Sequence, residues 1–401
     1  MSATDDIRIL RQLQQTPPLF SDLRSSAGSE LSVQQQLRAV WDAELVRAAI
    51  ALEDARARAV GRLPEAERLW LTKVSLEQST AWRVAQHKAA RFPSGDTVAD
   101  LCSGIGVDSA ALLARGPVES IDADPAMALR CEWNLQVWKE HGHVQGDYPW
   151  QARTADVRQL PPDSSRLLHI DPDRRVGRDR AAKRLEQYCP DLEWMQAVVG
   201  NSRGGALKLG PASNFMQKFP GCEIELISLA GECREATVWF GELAGPHSFR
   251  ATILPAGESI GQDPLAAWCP VATDLQEYIF DPDPAVVRSG LLDAVGEMHN
   301  LLRLDKADEY LTGDRLPETA FVTAYRIHAC LPNNLKELKK YLRENPGRDY
   351  EIKCRHVKVD AGALQKRLPR GDGPIRTLFH LRLNGRVRIV VAERTRKLSD
   401  T

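Results

Sequence analysis

The sequence predicts an α/β protein built around a doubly wound, parallel sheet, and two observations lead to this fold class. First, short apolar runs alternate with helical patterns between residues 96 and 245, as expected for successive βαβ units. Second, the apolar run 97–101 is followed by a turn with two glycines, and a helix pattern begins at about Asp108. A strand, a glycine turn and a helix N-terminus in this order are typical of a nucleotide pocket in such sheets.

Residues 1–95 are predicted to form an N-terminal helical domain. Apolar residues between Leu31 and Leu52 recur at roughly helical spacing, and glycine is sparse in this region. The segment Pro93-Ser94-Gly95 breaks the pattern directly before the first strand. The helical region is therefore expected to end where the sheet begins.

The central domain, residues 96–245, is predicted to contain five parallel strands and a closing antiparallel hairpin. The strands are expected at Val98–Leu101, Glu119–Asp122, Ala152–Val157, Leu167–Ile170 and Ala206–Leu209, and the hairpin at Ile224–Leu229 and Thr237–Phe240. Helices are expected at Asp108–Arg115 and from Pro125 to Lys139. Seven strands with a final hairpin depart from the dinucleotide-binding sheet and are typical of the methyltransferase sheet.

Residues 246–330 are rich in proline and are predicted to form a linker and a small α+β segment. Asp281 and Asp283 lie there, and each is followed by a proline. Turn and helix-start chemistry explains two such acids better than metal binding does.

Residues 331–401 are predicted to form a basic domain, with a helix at Leu335–Arg343 and a hairpin that turns at Asn384-Gly385. The region contains 18 Lys and Arg against 8 Asp and Glu, whereas the whole chain has a net charge of −1. A basic domain on an acidic body predicts an anionic partner, with RNA as the leading candidate. A solvated basic face is the alternative.

Composition argues against several other classes of protein. The eight cysteines are scattered without a CxxC pair, which disfavours a zinc site or a disulfide framework and predicts reduced, mostly buried thiols of a cytoplasmic protein. The N-terminus lacks the features of a signal peptide, and no apolar run approaches the length of a membrane span. No metal is expected.

Acidic residues are predicted to gather at the carboxyl edge of the sheet, beside the glycine turn. Asp100 would repel a pyrophosphate there but would suit a cationic group, such as the ammonium and sulfonium of S-adenosylmethionine. Asp122 can accept hydrogen bonds from ribose hydroxyls, and Asp156 from an adenine amino group. The predicted cofactor-binding residues are Asp100, Cys102, Ser103, Gly104, Gly106, Asp122, Ala123, Asp156 and Val157.

The fourth predicted strand ends in HIDPDRR, where the acceptor of a methyl group is expected. Asp171 and the carbonyl of Pro172 can orient a nucleophile or accept its proton, while Arg174 and Arg175 can hold phosphate. Asp171, Pro172 and Arg174 are therefore the predicted catalytic residues, although Asp171 could instead only hold a loop. Asp173 stands where base-modifying amino-group methyltransferases usually carry an aromatic residue that stacks a flipped base.

Three further features have weaker predicted roles. Cys189 has no activating neighbour in the sequence, so a nucleophilic thiol is not favoured there. Lys208 could meet an anionic substrate, and the segment 76–80 could fold over the methionine end of the cofactor; a helix surface would explain both equally well.

The chain resembles the bacterial class I methyltransferases that carry a C-terminal THUMP-like domain. The matching stretches are LEQSTAWRVAQHKAARF (76–92), DLCSGIGVDS (100–109), IDADP (121–125), HIDPDRR (169–175), YCPDL (188–192), LKLGP (207–211), GECRE (231–235), YIFDPDP (278–284) and EIKCRHVKVDAGALQKRL (351–368). The resemblance implies a Rossmann-like S-adenosylmethionine domain, a small ferredoxin-like segment and a THUMP-like module. Cys102 replaces the first glycine of the family's loop, and Asp173 stands where many relatives have a small residue.

We therefore expect a cytoplasmic enzyme that transfers a methyl group from S-adenosylmethionine to RNA by in-line displacement. Two alternatives remain at this point. The acceptor is a small molecule or a protein, or the chain is an RNA-binding protein with a non-catalytic pocket. An NAD-dependent oxidoreductase is disfavoured, because Ser109 occupies the place of the third glycine in that fingerprint.

Overall fold

The computed structural model of the chain describes residues 3–160, 165–175 and 181–395. They form two compact units. The first unit comprises the described residues up to Cys222 together with Thr237–Gly245. The second comprises Glu223–Ala236 and the described residues from Pro246 onwards.

The first unit begins with helices, as the sequence predicts. They are α1 (Ala3–Gln14), α2 (Pro17–Ser25), α3 (Glu30–Leu37), α4 (Ala43–Ala59), α5 (Lys73–Gln78) and α6 (Trp82–Ala89). Side chains fix several of their starts. Asp42 accepts from backbone amides at the start of α4, and Thr72 and Ser75 form a reciprocal capping box at α5.

A parallel sheet follows in the same unit. Its elements are β1 (Val98–Leu101), α7 (Val107–Leu113), β2 (Val118–Asp122), α8 (Pro125–Glu140), β3 (Trp150–Thr154), β4 (Leu167–Ile170), α9 (Leu192–Asn201) and β5 (Gly204–Leu209). The chain then forms β6 (Glu223–Leu229) and β7 (Glu232–Gly241). Within the first unit the strand order is β3-β2-β1-β4-β5, and residues 237–241 of β7 lie next to β5.

The register of the parallel strands brings their carboxyl ends to one edge. Leu101 of β1 lies opposite both Ile121 of β2 and Ile170 of β4. The third strand is shorter than predicted and ends at Thr154 rather than Val157. The reason is local, because the Asp156 side chain accepts from a backbone amide and starts a short 3-10 turn instead of continuing the strand.

The N-terminal helices and the sheet share one hydrophobic core. Leu19 and Val46 of the helical region belong to the same buried cluster as Leu112, Leu135 and Trp138. The boundary that the sequence suggests near residue 95 therefore lies inside one compact unit. The apolar faces of the N-terminal helices pack on α7 and α8, which leaves no solvent-filled linker between the two regions.

Asn134 connects three parts of this unit. Its side-chain oxygen accepts from the backbone N–H of Trp70 at 2.7 Å, and its amide donates to the carbonyls of Trp70 at 3.2 Å and of Ile105 at 3.0 Å. The residue is fully buried on α8. It thus joins the loop before α5 and the glycine turn to one helix.

The second unit contains two groups of strands. Besides β6 and the first half of β7, its elements are β8 (Phe249–Leu254), β9 (Glu258–Gln262), β10 (Tyr278–Pro282), α10 (Pro284–Ser289), α11 (Leu292–His299), β11 (Leu302–Arg303), β12 (Leu311–Gly313), β13 (Val322–Pro332), α12 (Leu335–Glu344), β14 (Gly347–Cys354), α13 (Ala361–Gln365), β15 (Arg370–Leu383) and β16 (Arg386–Arg394). One group has the order β7-β6-β8-β9, and the other β11-β12-β10-β13-β16-β15-β14.

Several local predictions for this unit are confirmed. Asp283 accepts from the backbone N–H of Ala285 and caps α10, as predicted. Asp281 instead lies in β10 and forms ion pairs with Lys353 and Arg355, so turn or helix-start chemistry does not explain it. The turn at Asn384-Gly385 has positive φ at both residues and joins β15 to β16, as predicted. The basic helix is α12.

The cysteines differ in part from expectation. All eight are free thiols, but only Cys131 and Cys269 are buried, so the expectation of mostly buried thiols is wrong. In the part of the chain that the structure describes, no helix is both long and apolar enough to cross a bilayer.

Replacing Asn134 with alanine tests the connection made by α8. The variant leaves buried backbone groups of Trp70 and Ile105 without partners, and we expect a loss of about 3 kcal/mol in the free energy of unfolding. Urea unfolding followed by tryptophan fluorescence reports this loss, because all tryptophans except Trp268 belong to the first unit. Gln136→Ala, on the exposed side of the same helix, is the control, and equal stability of both variants would contradict the assignment.

Candidate active site

A cavity of about 500 Å³ lies at the carboxyl edge of the sheet in the first unit. Its walls come from the glycine turn after β1, the residues after β2 and β3, the segment after β4, and residues 72–80 before α6. The predicted cofactor-binding and acceptor residues therefore meet in one place, with two exceptions. Asp100 and Gly106 do not line the cavity.

The glycine turn is shaped by left-handed backbone. Cys102, Gly104 and Gly106 have φ values of 63°, 54° and 85°. A side chain on Gly106 would meet the Sγ of Cys131 at 2.6 Å, while one on Gly104 would enter open space. Cys102 adopts a conformation that costs an L residue roughly 1–2 kcal/mol more than glycine. The cysteine thus keeps the family's glycine conformation at some strain.

Asp100 is fully buried behind the cavity wall. One carboxylate oxygen lies 2.7 Å from the Nδ1 of His169, and the other accepts from the Ser109 hydroxyl. The structure therefore places Asp100 where it holds β1, β4 and α7 together rather than where it could touch a ligand. The sequence predicted a strand-end acid correctly, but not the direction in which its side chain points.

A chain of buried polar groups continues from Asp100 to the cavity. The Nε2 of His169 lies 3.1 Å from the Nζ of Lys88, which lies 2.9 Å from an oxygen of Asp108. An ammonium group only donates hydrogen bonds, so the Nε2 accepts and the Nδ1 carries the proton that is donated to Asp100.

Asp108 lines the cavity at the end of this chain. Thr80 donates to its second oxygen. Burial raises the pKa of Asp108, but Lys88, His169, Lys208 and the Thr80 hydroxyl together outweigh burial and hold that pKa below its ordinary value. The carboxylate is therefore ionised in the folded protein.

Asp122 lies on the wall at the end of β2. Its two oxygens accept from the backbone N–H groups of Gly104 and Asp124, both at 2.9 Å. Burial raises the pKa of Asp122, and the two amides partly offset this rise. Each carboxylate oxygen has a second lone pair that can accept from a ligand.

Asp156, Val157 and Ala123 also line the cavity, as do Ser103 and Cys102. The carboxylate of Asp156 is held by Arg158, whose guanidinium lies 2.7 Å away. The sequence did not predict this ion pair, although the two residues are only two positions apart.

Asp171 and Pro172 lie on the wall after β4. The Nζ of Lys208 on β5 donates to one oxygen of Asp171 at 2.6 Å and to the carbonyl of Gln78 at 3.1 Å. Burial raises the pKa of Asp171, and Lys208 partly offsets this rise. Lys208 is therefore engaged within the protein, and the idea that it meets an anionic substrate directly is wrong.

The segment 76–80 reaches the cavity, as the sequence suggested. Gln78 donates to Asp173 at 2.8 Å, and Glu77 pairs with Arg175 at 3.0 Å. These contacts tie the end of α5 to the DPDRR segment. Arg175 is consequently occupied by a carboxylate.

Arg174 differs from the other guanidinium on the wall. Arg158 is paired with Asp156, whereas Arg174 has no ion pair with any residue in the described ranges.

Cys189 also lines the cavity, and its backbone N–H and carbonyl form hydrogen bonds with the carbonyl and N–H of Asp173. Within residues 3–160, 165–175 and 181–395, no group of three or more His, Cys, Asp or Glu is placed to hold a metal ion.

The sequence pattern does not indicate a role for Lys88 or His169, and it suggests Lys208 only as a contact to an anionic substrate. All three act through contacts between residues far apart in the chain, such as the 81 positions that separate Lys88 from His169. A charged residue at a buried position of an amphipathic helix is the one local signal that points to Lys88.

Several known proteins resemble this chain in sequence or in fold. Residues 322–394 match the family model described as THUMP domain-like. Two strains of Mycobacterium tuberculosis have a protein described as an uncharacterized S-adenosylmethionine-dependent methyltransferase, 35% identical over 336 residues, which span 80% of this chain and 88% of that protein. A solved structure of a candidate methyltransferase from Porphyromonas gingivalis W83 matches with a TM-score of 0.75 at 16% identity, covering 99% of this chain and 100% of that one, and shows the same fold.

Lys88→Met tests the buried chain of polar groups. The variant leaves the Asp108 carboxylate without its cation, and we expect a loss of about 3–5 kcal/mol in unfolding free energy near pH 7. Because Lys88 lowers the folded-state pKa of Asp108, its stabilisation is present above the ordinary value of 3.8 and is lost as the pH falls further.

The difference between wild type and Lys88→Met should therefore shrink on acidification, as urea unfolding at several pH values would reveal. Lys139→Met is the matched control, since it breaks an exposed lysine–aspartate pair with Asp147 and should change stability little. Equal effects of the two substitutions would contradict the role of Lys88.

Proposed function

The chain belongs to the family of S-adenosylmethionine-dependent methyltransferases, and we propose that RNA is the acceptor of its methyl group. The cofactor and the reaction type follow from the family. The acceptor is inferred from Arg174, which has no ion pair with a described residue, and from the basic THUMP-like segment. The residue roles given below are part of the same proposal.

The cavity fits the cofactor in size and in chemistry. Its volume lies within the usual range for small-molecule sites, about 300–1,000 Å³. The Ser103 hydroxyl on its wall is buried and has no hydrogen-bond partner among the described residues. Gly104 presents open space where a side chain would otherwise stand. A ligand with hydroxyl and amino groups explains both features.

We assign Asp122 to the ribose, because it lines the cavity and each of its oxygens keeps a lone pair that can accept from a hydroxyl. Asp156 and Val157 are assigned to the adenine. Arg158 holds the Asp156 carboxylate in place and leaves lone pairs for an amino group.

The ammonium of the methionine end is assigned to Asp108 rather than to Asp100. Asp108 lines the cavity, and its pKa lies below the ordinary value, so it offers an ionised carboxylate. Asp100 does not line the cavity. A cationic group of the ligand would pair with the Asp108 carboxylate.

When bound, S-adenosylmethionine supplies a methyl group that its sulfonium already makes electrophilic. The protein then has to align the acceptor, exclude water and take up a proton. Asp171 can accept from the acceptor atom, since Lys208 occupies only one of its oxygens. Pro172 is buried and fixes the backbone beside it, and Arg174 can bind a phosphate.

RNA is supported by the surface of α12 in the second unit. Leu338 and Leu342 face the core, while Lys336, Lys340 and Arg343 are exposed on the opposite side. None of these three cations pairs with another residue in the described ranges. A row of unpaired cations spaced by one helical turn suits the phosphates of a nucleic-acid backbone.

The cofactor assignment is tested with Asp122→Ala. The loss of two charge-assisted hydrogen bonds should weaken S-adenosylmethionine binding at least about 30-fold in calorimetric titration. Asp147→Ala, at an exposed aspartate remote from the cavity, should bind as the wild type does. An unchanged affinity of Asp122→Ala would remove this residue from the site.

The acceptor is tested with tritiated S-adenosylmethionine and total RNA from a strain that lacks the gene. We expect tritium in RNA, and none with RNA from the parent strain, where the sites are already methylated. The triple variant Lys336→Gln, Lys340→Gln, Arg343→Gln should bind RNA more weakly, with a salt dependence reduced by about two units of slope.

Replacing the exposed Arg11, Arg47 and Arg58 of the N-terminal helices with glutamine removes the same charge and should leave RNA binding nearly unchanged. Absence of label from RNA with an enzyme that binds the cofactor would refute RNA as the acceptor.

A further inference from the structure

We propose that the methylated atom is a ribose 2′-hydroxyl of RNA rather than an atom of a base. This inference rests on the proposed RNA acceptor and specifies the atom within it. Three features of the acceptor end carry it: no described residue of the cavity wall is aromatic, the carboxylate of Asp171 is fixed, and the guanidinium of Arg174 has no ion pair with a described residue.

The first feature is the composition of the wall. No phenylalanine, tyrosine, tryptophan or histidine is among the described residues that line the cavity. Enzymes that modify a base take it out of the stack and hold it against aromatic or apolar side chains. The acceptor end instead presents the polar side chains of Gln78, Asp171, Asp173 and Arg174, beside Pro172 and Pro190. Such a surface suits a sugar and its phosphate better than a heterocycle.

The second feature is the state of Asp171. Lys208 holds one of its oxygens at 2.6 Å, so the other oxygen is the one that can accept from a hydroxyl. A hydroxyl is a weak nucleophile until its proton is withdrawn, and burial makes this carboxylate a stronger base than an exposed one. The charged and titratable groups around it are Lys208, Asp108, Lys88 and Cys102.

The step balances with these groups alone. The 2′-oxygen forms a bond to the methyl carbon as the bond between that carbon and sulfur breaks, and the electron pair of the broken bond stays on sulfur. The sulfonium becomes a neutral thioether. The hydroxyl proton passes to the Asp171 carboxylate and from there to solvent.

The third feature is Arg174, which lines the same cavity as Asp171. In RNA the 2′-hydroxyl is adjacent to the 3′-phosphate of the same nucleotide. A guanidinium without a carboxylate partner, placed on the wall that also holds a proton acceptor, fits this pair of groups. DNA has the phosphate but lacks the hydroxyl, so the arrangement selects RNA.

Lys208 is the positioning residue in this scheme. It does not line the cavity, and it joins Asp171 to the backbone of Gln78 across 130 positions of sequence. Its removal would free the carboxylate to rotate and would raise the pKa of Asp171, because burial would no longer be offset.

The location of the label in RNA tests the proposal. RNA methylated with tritiated S-adenosylmethionine is hydrolysed with alkali, which cleaves only where a 2′-hydroxyl is free. We expect the tritium in alkali-resistant dinucleotides. Tritium in mononucleotides would overturn the ribose assignment and leave RNA as the acceptor. Absence of label from RNA would overturn both, and cofactor binding measured separately would show that the enzyme was intact.

Lys208→Met tests the positioning role. We expect turnover to fall at least about 100-fold, with cofactor affinity within about threefold of the wild type, and the acidic limb of the pH–rate profile to move to higher pH as the pKa of Asp171 rises. Lys208→Arg should restore part of the activity, and it carries the test if the methionine variant does not fold.

Lys139→Met is the control, since it breaks an exposed lysine–aspartate pair far from the cavity. A Lys208→Met enzyme with the turnover and the pH profile of the wild type would overturn the assignment of Lys208.

Discussion

The ion pair between Lys88 and Asp108, buried at the start of α7, is the interaction on which the first unit most depends. It links α6 to α7, and through His169 and Asp100 it reaches β4 and β1. Two charges removed from water are stable only if each has close partners, and here each group has at least one. The edge of the sheet that carries the cavity is therefore fixed by polar contacts as well as by apolar packing.

This arrangement explains why the acid at the end of β1 does not face the ligand. Asp100 is fully buried, and His169 and Ser109 satisfy its two oxygens. A carboxylate so occupied has little capacity left for a ligand. The chain of groups ends instead at Asp108, eight residues later, where a carboxylate does reach the cavity. Contact with the cationic group of the ligand, which the sequence suggested for Asp100, is therefore proposed for Asp108.

Much of the fold was predictable because it depends on local sequence. The strands Val98–Leu101 and Leu167–Ile170 have the predicted bounds, and Asp283 and Asn384-Gly385 have the conformations that their neighbours indicate. The limits of such reasoning are equally specific. Asp156 starts a turn rather than ending a strand, because its own side chain accepts from a backbone amide.

The two sides of the candidate site also differ in how far they could be predicted from local sequence. The proposed cofactor side is built from residues that are close together in sequence. Asp122 accepts from the backbone of Gly104, and Asp156 pairs with Arg158. Strand ends and glycines in the sequence indicate this side. The acceptor side is built from distant partners. Gln78 meets Asp173 across 95 positions, and Lys208 meets Asp171 from the next strand. A motif can therefore indicate the methyl donor, whereas the proposed acceptor site depends on contacts that only the folded chain brings together.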